Sequence, residues 1–159
     1  MSKAPDTEAA SESHFLEVLY RDLALALGDA VWAFARIEWL VYEYLGRLSK
    51  DHVDALVGEV AFRPRCSILR RLIERRASTP VSKERAMRAV QEAEKLAERR
   101  NIIVHNPWKI WIDLDAEEFM TEIQRYSNPN SKVDLNELKR FTESAANVEQ
   151  ELKDSLNAL

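Results

Sequence analysis

Apolar positions recur at three- and four-residue intervals over most of this chain, the spacing of one face of an α-helix. A first amphipathic run starts near Ser13 and carries Phe15, Leu16, Leu19, Leu23 and Leu27. Gly28-Asp29 is the place where it would break or bend. The pattern resumes at once and continues to about Ser49, with Val31, Phe34, Glu38, Val41, Leu45 and Leu48 on one stripe. Trp32, Ala35, Trp39 and Tyr42 form a second apolar stripe beside it. A helix apolar around most of its circumference is covered on several sides. Either it is the central core helix of a monomer, or part of its surface is a dimer interface.

Shorter runs follow. A short helix fits Asp51 to Glu59, and Pro64 suits the first position of another that reaches Arg76 with Ile68, Leu69, Leu72 and Ile73 inward. Ser78-Thr79-Pro80 reads as a loop, with Ser82 as N-cap of a long helix to about His105. Pro107 ends that helix, because proline disfavours α conformation in the residue before it. The period then changes to two: Trp108, Ile110, Ile112 and Leu114 alternate with Lys109, Trp111 and Asp113. Phe119, Thr121, Ile123 and Arg125 repeat the alternation, so a β-hairpin turning at Asp115-Ala116-Glu117 is expected, against a helix over 116–126. Ser127 to Ser131 reads as a loop. Asp134 and Glu137 make a capping pair for a last helix to about Asn157, with Leu135, Leu138, Phe141, Ala145, Val148 and Leu152 on one side. The expected fold is all-α, a bundle of four to five helices with a small β-hairpin insertion near 108–126. A tail over residues 1–12, polar, small and disordered, precedes a single domain over 13–159.

Composition narrows the function. One cysteine, Cys66, allows no internal disulfide, and residues 1–13 hold no apolar signal core, so the cytoplasm is the expected compartment. The most apolar stretch, Ala30 to Leu45, is too short and too charged to span a bilayer. His14, His52, His105 and Cys66 show no metal-ligand spacing, and three glycines leave no room for a phosphate loop, so no metal or cofactor is expected. The net charge of −4 argues against bulk nucleic-acid binding. Its distribution is uneven: Arg63 to Lys109 holds 13 Lys and Arg against 5 Glu, a net of +8, which leaves −12 for the rest. A basic region in an acidic chain marks a possible anion or polynucleotide site, or else a solvated helix face.

Within that region Val90, Ala93, Ala97, Arg100 and Val104 share one helical face, which sets Arg100 in an apolar stripe in need of a partner. Asn101 and His105, four residues apart, stack on an adjacent face, and Asn101 is placed to choose the imidazole tautomer. Arg and His together suit phosphodiester chemistry without a metal: the imidazole takes the proton of a ribose 2′-OH, and the guanidinium holds the charge growing on phosphorus. From these residues alone, a core-paired arginine and a capping histidine account for the pair more simply. Arg100 and His105 are about 140° apart around an ideal helix. They converge in one chain only if the helix end distorts; otherwise they act across a dimer. Trp108 and Trp111 suit base stacking, or more simply anchor the hairpin on the core.

The string Glu98-Arg99-Arg100-Asn101-Ile102-Ile103-Val104-His105 resembles the signature of the HEPN superfamily, an Arg, a polar residue, a few apolar residues and a His at a helix end. Upstream, Ala35 to Trp39 and the Arg/Leu-rich run after it resemble a bacterial and phage-associated branch, and the similarity spans roughly Phe15 to Trp108. The resemblance implies a small helical bundle that forms a homodimer with the paired motifs facing one another. It implies a metal-independent endoribonuclease, of the kind that serves as a toxin or in antiphage defence, with RNA as substrate and an antitoxin or regulatory protein as partner. By residue it implies Arg100 as transition-state stabiliser, His105 as general base or acid and Asn101 as a supporting group. Glu38 is a weaker candidate, pairing with Arg100 or orienting His105, or else salt-bridged to another basic residue. Pro107 stands where some toxin members carry a tyrosine that an antitoxin modifies, so that control is not expected here. The alternative within the resemblance is a non-catalytic dimeric module that binds partners or nucleotides.

Overall fold

The computed structural model describes residues 6–49, 53–113 and 118–159. Four long helices and a three-stranded antiparallel sheet make up the molecule. The helix α1 runs unbroken from Asp6 to Leu48. Gly28 does not break it, because a lone glycine costs a helix only about 1 kcal/mol. Buried Ala26 and Ala30 hold the turns on either side. The helix also begins within the tail assigned to residues 1–12 rather than near Ser13, in a stretch of Ala and Glu with good helix propensity. Residues 1–5 lie outside the described ones, as do the hairpin connection at 115–117, Leu114 and His52.

A single turn, α2 (Val53–Leu56), leads into α3 (Phe62–Arg76), which starts two residues before Pro64. The helix α4 (Pro80–His105) is capped by Thr79, not Ser82. Ser82 is the third helical residue; its N donates to Thr79 Oγ1 and its Oγ accepts from Thr79 N, so the two close a capping box one turn earlier than expected. The helix α5 (Leu135–Asn157) opens with the expected box: Glu137 N donates to Asp134 Oδ1 at 2.6 Å, and Asp134 N to Glu137 Oε2 at 3.1 Å.

The core lies where α1 packs along α5, α3 and α4. Phe34, Ile37, Val41 and Leu45 of α1 meet Leu69 and Ile73 of α3, Val90 and Ala93 of α4, and Leu138 and Leu152 of α5, all buried. Val31 and the Trp32, Ala35, Trp39 stripe lie outside it on the exposed side of α1. On α4 the apolar stripe drifts, so the last buried residue is Ile103.

The strands are β1 (Trp108–Asp113), β2 (Glu118–Arg125) and β3 (Asn128–Asp134), in that order. The hairpin is present, and the helix over 116–126 is not, among the described residues. The expected loop at 127–131 is corrected: from Asn128 onward the chain is a third strand. Pro129 fits there because β3 is an edge strand that needs no donor on its outer side. Trp108, Ile123 and Val133 form a row across the sheet that packs on the helices. Trp108 therefore anchors the sheet, while Trp111 faces Lys132, whose Nζ lies 5.9 Å from its ring centroid.

Candidate functional site

The sheet and α3 bracket the last two turns of α4, the segment that carries Arg100, Asn101 and His105. Arg100 leaves the helix toward α1. Its guanidinium lies 5.6 Å from the Phe34 ring centroid, and its Nη2 is 3.8 Å from Glu38 Oε2. Its Nη1 donates to Asn101 Oδ1 at 3.3 Å. Glu38 is thus brought to Arg100, one of the two partners expected for it, and not to His105. It is shared with a residue that sequence reasoning missed, Arg65 of α3, whose Nη2 lies 3.6 Å from Glu38 Oε1.

Arg65 is the most buried cation among the described residues. Its side chain is 8% exposed and stacks over the Tyr42 ring at 4.1 Å. Its Nε and Nη1 are buried with no hydrogen-bond partner among the described residues. The signal for it was in the sequence: Arg65 stands one position before the buried stripe Cys66, Leu69, Ile73. Beside it, burial pushes the Cys66 thiol up to about 12, against the opposing pull of Arg70 and Arg65.

Glu38, Arg65, Arg100 and Asn101 line a cleft of about 530 Å³. Its walls also carry Arg63, Glu59, Glu94 and Glu98, so carboxylates match its cations. Two of them are engaged across the α3–α4 contact, Glu98 with Arg63 and Glu94 with Arg70. The same pairing runs through the basic region as a whole, where Arg85 binds Glu151, Arg88 binds Glu84 and Arg99 binds Glu137. The net of +8 already discounts the region's own glutamates; carboxylates from outside it, Glu38, Glu137 and Glu151, offset three charges more, so part of the positive excess is matched and part is not.

His105 belongs to a second cleft of about 610 Å³. It is exposed, and its imidazole makes no hydrogen bond or ion pair among the described residues. Asn101, Asn106, Arg125, Tyr126 and Ser127 stand around it. The helix stays α-helical through His105, so its end does not distort to bring Arg100 and His105 together. Asn101 and Glu98 line both clefts and form the wall between them. Asn101 hydrogen-bonds Arg100 rather than the imidazole, which corrects the expected tautomer contact.

The second cleft is closed by the C-cap of α4. Asn106 Nδ2 donates to Ile102 O at 2.8 Å, which occupies a carbonyl left without a helical partner. Its Oδ1 accepts from Tyr126 N at 3.4 Å. One side chain therefore ties the β2–β3 turn to the helix end beside His105. Among the described residues no group of His, Cys, Asp and Glu is arranged to hold a metal ion, and no helix is long and apolar enough to cross a membrane. Comparison with protein-family models, curated proteins and solved structures found no match to this chain.

Proposed function

We propose that this chain is a metal-independent endoribonuclease of the HEPN type. The observation that carries the reading is the end of α4: an exposed, unengaged imidazole and a carboxylate-held guanidinium line adjoining clefts with Asn101 between them. His105 removes the proton from a ribose 2′-OH. The 2′-oxygen bonds to phosphorus, and the P–O5′ bond breaks. The 5′-oxygen leaves with a proton returned by an imidazolium or by water. The products are a 2′,3′-cyclic phosphate and a 5′-hydroxyl. Arg100, held by Glu38 and already partly desolvated, stabilises the charge on the phosphoryl oxygens. Because the two groups lie in separate clefts of one chain, the complete site pairs His105 of one copy with Arg100 of another. That arrangement is the homodimer the resemblance implies, and a toxin or defence role with a regulatory partner goes with it.

A second reading, a dimeric interaction module without catalysis, is favoured by the exposed side of α1. Leu25, Trp32 and Trp39 repeat every seven residues and are 62%, 67% and 71% exposed. Gly28 and Ala35 sit between them. That is a coiled-coil seam of large and small residues.

Incubating the protein with mixed RNA in EDTA separates the readings. The expected result is cleavage by the wild type, reduced roughly 10²–10⁴-fold in His105→Ala and in Arg100→Ala while both remain folded. Absence of cleavage by a dimeric wild type, or equal cleavage by all three proteins, overturns the nuclease and leaves the interaction module.

A further inference from the structure

The β2–β3 turn carries two residues that neither the fold nor the proposed transesterification uses. Tyr126 is 98% exposed at the tip of a two-residue turn. Arg125 beside it is exposed, and its side chain makes no ion pair or hydrogen bond among the described residues. Tyrosine rings are on average partly buried, so a fully exposed one on a well-anchored turn stands out. The turn is anchored: Asn106 fixes Tyr126 N to the end of α4, and Gln124 Nε2 donates to Pro129 O at 3.1 Å. The pairing of β2 with β3 changes register between Gln124 and Arg125. Irregularities of this kind re-aim the side chains that follow them. Here the residues that follow line the His105 cleft.

We infer that Tyr126 and Arg125 form the nucleotide-binding wall of that cleft, and that the substrate is single-stranded RNA. The inference rests on the ribonuclease reading and adds to it which form of RNA is taken. The cleft volume of about 610 Å³ lies within the size of small-ligand pockets, which suits a single nucleotide. Tyr126 offers a flat aromatic face in the open, and only a base freed from its neighbours exposes a matching face. A paired base in a duplex keeps its faces stacked. Arg125 supplies a guanidinium fork for the adjoining phosphate. Together they hold the sugar of the stacked nucleotide beside the His105 imidazole, where its 2′-OH is to be deprotonated. Of the two aromatics the sequence offered for stacking, Trp108 packs on the core and Trp111 has the Lys132 ammonium 5.9 Å from its ring.

The test separates binding from cleavage. A labelled RNA oligonucleotide with every 2′-OH methylated cannot be cut by this chemistry. Its affinity is measured in EDTA by fluorescence anisotropy for the wild type, Tyr126→Ala, Tyr126→Phe and Arg125→Ala. The expected result is roughly 5- to 100-fold weaker binding for Tyr126→Ala, the range of one base–aromatic stack, with Tyr126→Phe restoring it. With an abasic strand, the wild type and Tyr126→Ala bind alike. Arg125→Ala weakens binding and lowers the slope of log affinity against log salt by about 0.7, one phosphate contact on a single strand. Equal binding by the wild type and Tyr126→Ala, or a duplex held as tightly as the single strand, overturns this inference while leaving the nuclease intact. A wild type that neither binds the strand nor cuts unmodified RNA overturns both.

Discussion

Replacing Glu38 leaves the guanidiniums of Arg65 and Arg100 without the carboxylate that lies 3.6 and 3.8 Å from their Nη2 atoms. Arg65 is the costlier loss, since two of its nitrogens already lack partners. Glu38→Gln is expected to lower stability by about 1–3 kcal/mol in urea unfolding, and to lower RNA cleavage as well. Unchanged stability would show that the Tyr42 ring alone suffices to hold Arg65. Cys66 gives a prediction about pH. Its thiol is held up to about 12 by burial, from an ordinary value of 9.0. The unfolded chain therefore releases this proton first, and folding stability falls as pH rises above 9.0. Urea titrations at rising pH should show that decline, and Cys66→Ala should lessen it. The native thiol should also react far more slowly with a disulfide reagent than the unfolded one. Glu149 behaves in the opposite sense. Burial raises its pKa, but hydrogen bonds from Lys153 and Arg36 outweigh that and hold it below 4.5. Its contribution is present above that pH and is lost as pH falls through the depressed value, a loss that Glu149→Gln should abolish.

At the scale of elements, α1 is the clearest test. Gly28 sits inside the helix with nothing within 4 Å of an added Cβ. Gly28→Ala is therefore expected to stabilise the protein by up to about 1 kcal/mol, read as a rise in thermal midpoint. A destabilised variant would mean that the seam beside Leu25 and Trp32 needs the glycine's missing side chain for close approach by another helix. Most elements were legible because their signals are local. The change of period at Trp108 marked the sheet, and Asp134 with Glu137 marked the start of α5. The misread elements turned on balances that local signals do not set. Thr79 and Ser82 are both good caps, and the pair closes a box only with Thr79 outside the helix. Asn128-Pro129-Asn130 has the composition of a loop, but Asn128 on one side and Lys132 to Asp134 on the other pair with β2 and carry the strand through it.

For the whole molecule, the length of α1 matters. Its 43 residues extend about 65 Å, and among the described residues the first buried side chain is Leu23. The heptad of Leu25, Trp32 and Trp39 runs along the uncovered side. Sedimentation over a wide concentration range is expected to show a dimer, and the double variant Trp32→Glu, Trp39→Glu a folded monomer. A wild type that stays monomeric throughout would remove the shared site and leave Arg100 and His105 in separate clefts. The sequence by itself determined the long helices, the hairpin of β1 and β2 and the place of Arg100, Asn101 and His105 at the end of α4, because periodicity and spacing act within a few residues of chain. Only the tertiary structure decided which side chains meet across elements. Arg65 joins Glu38 because α3 packs against α1, and Tyr126 joins His105 because Asn106 draws a strand turn to a helix end. Such contacts depend on how the elements dock and on where a strand slips its register, and no interval along the chain encodes either.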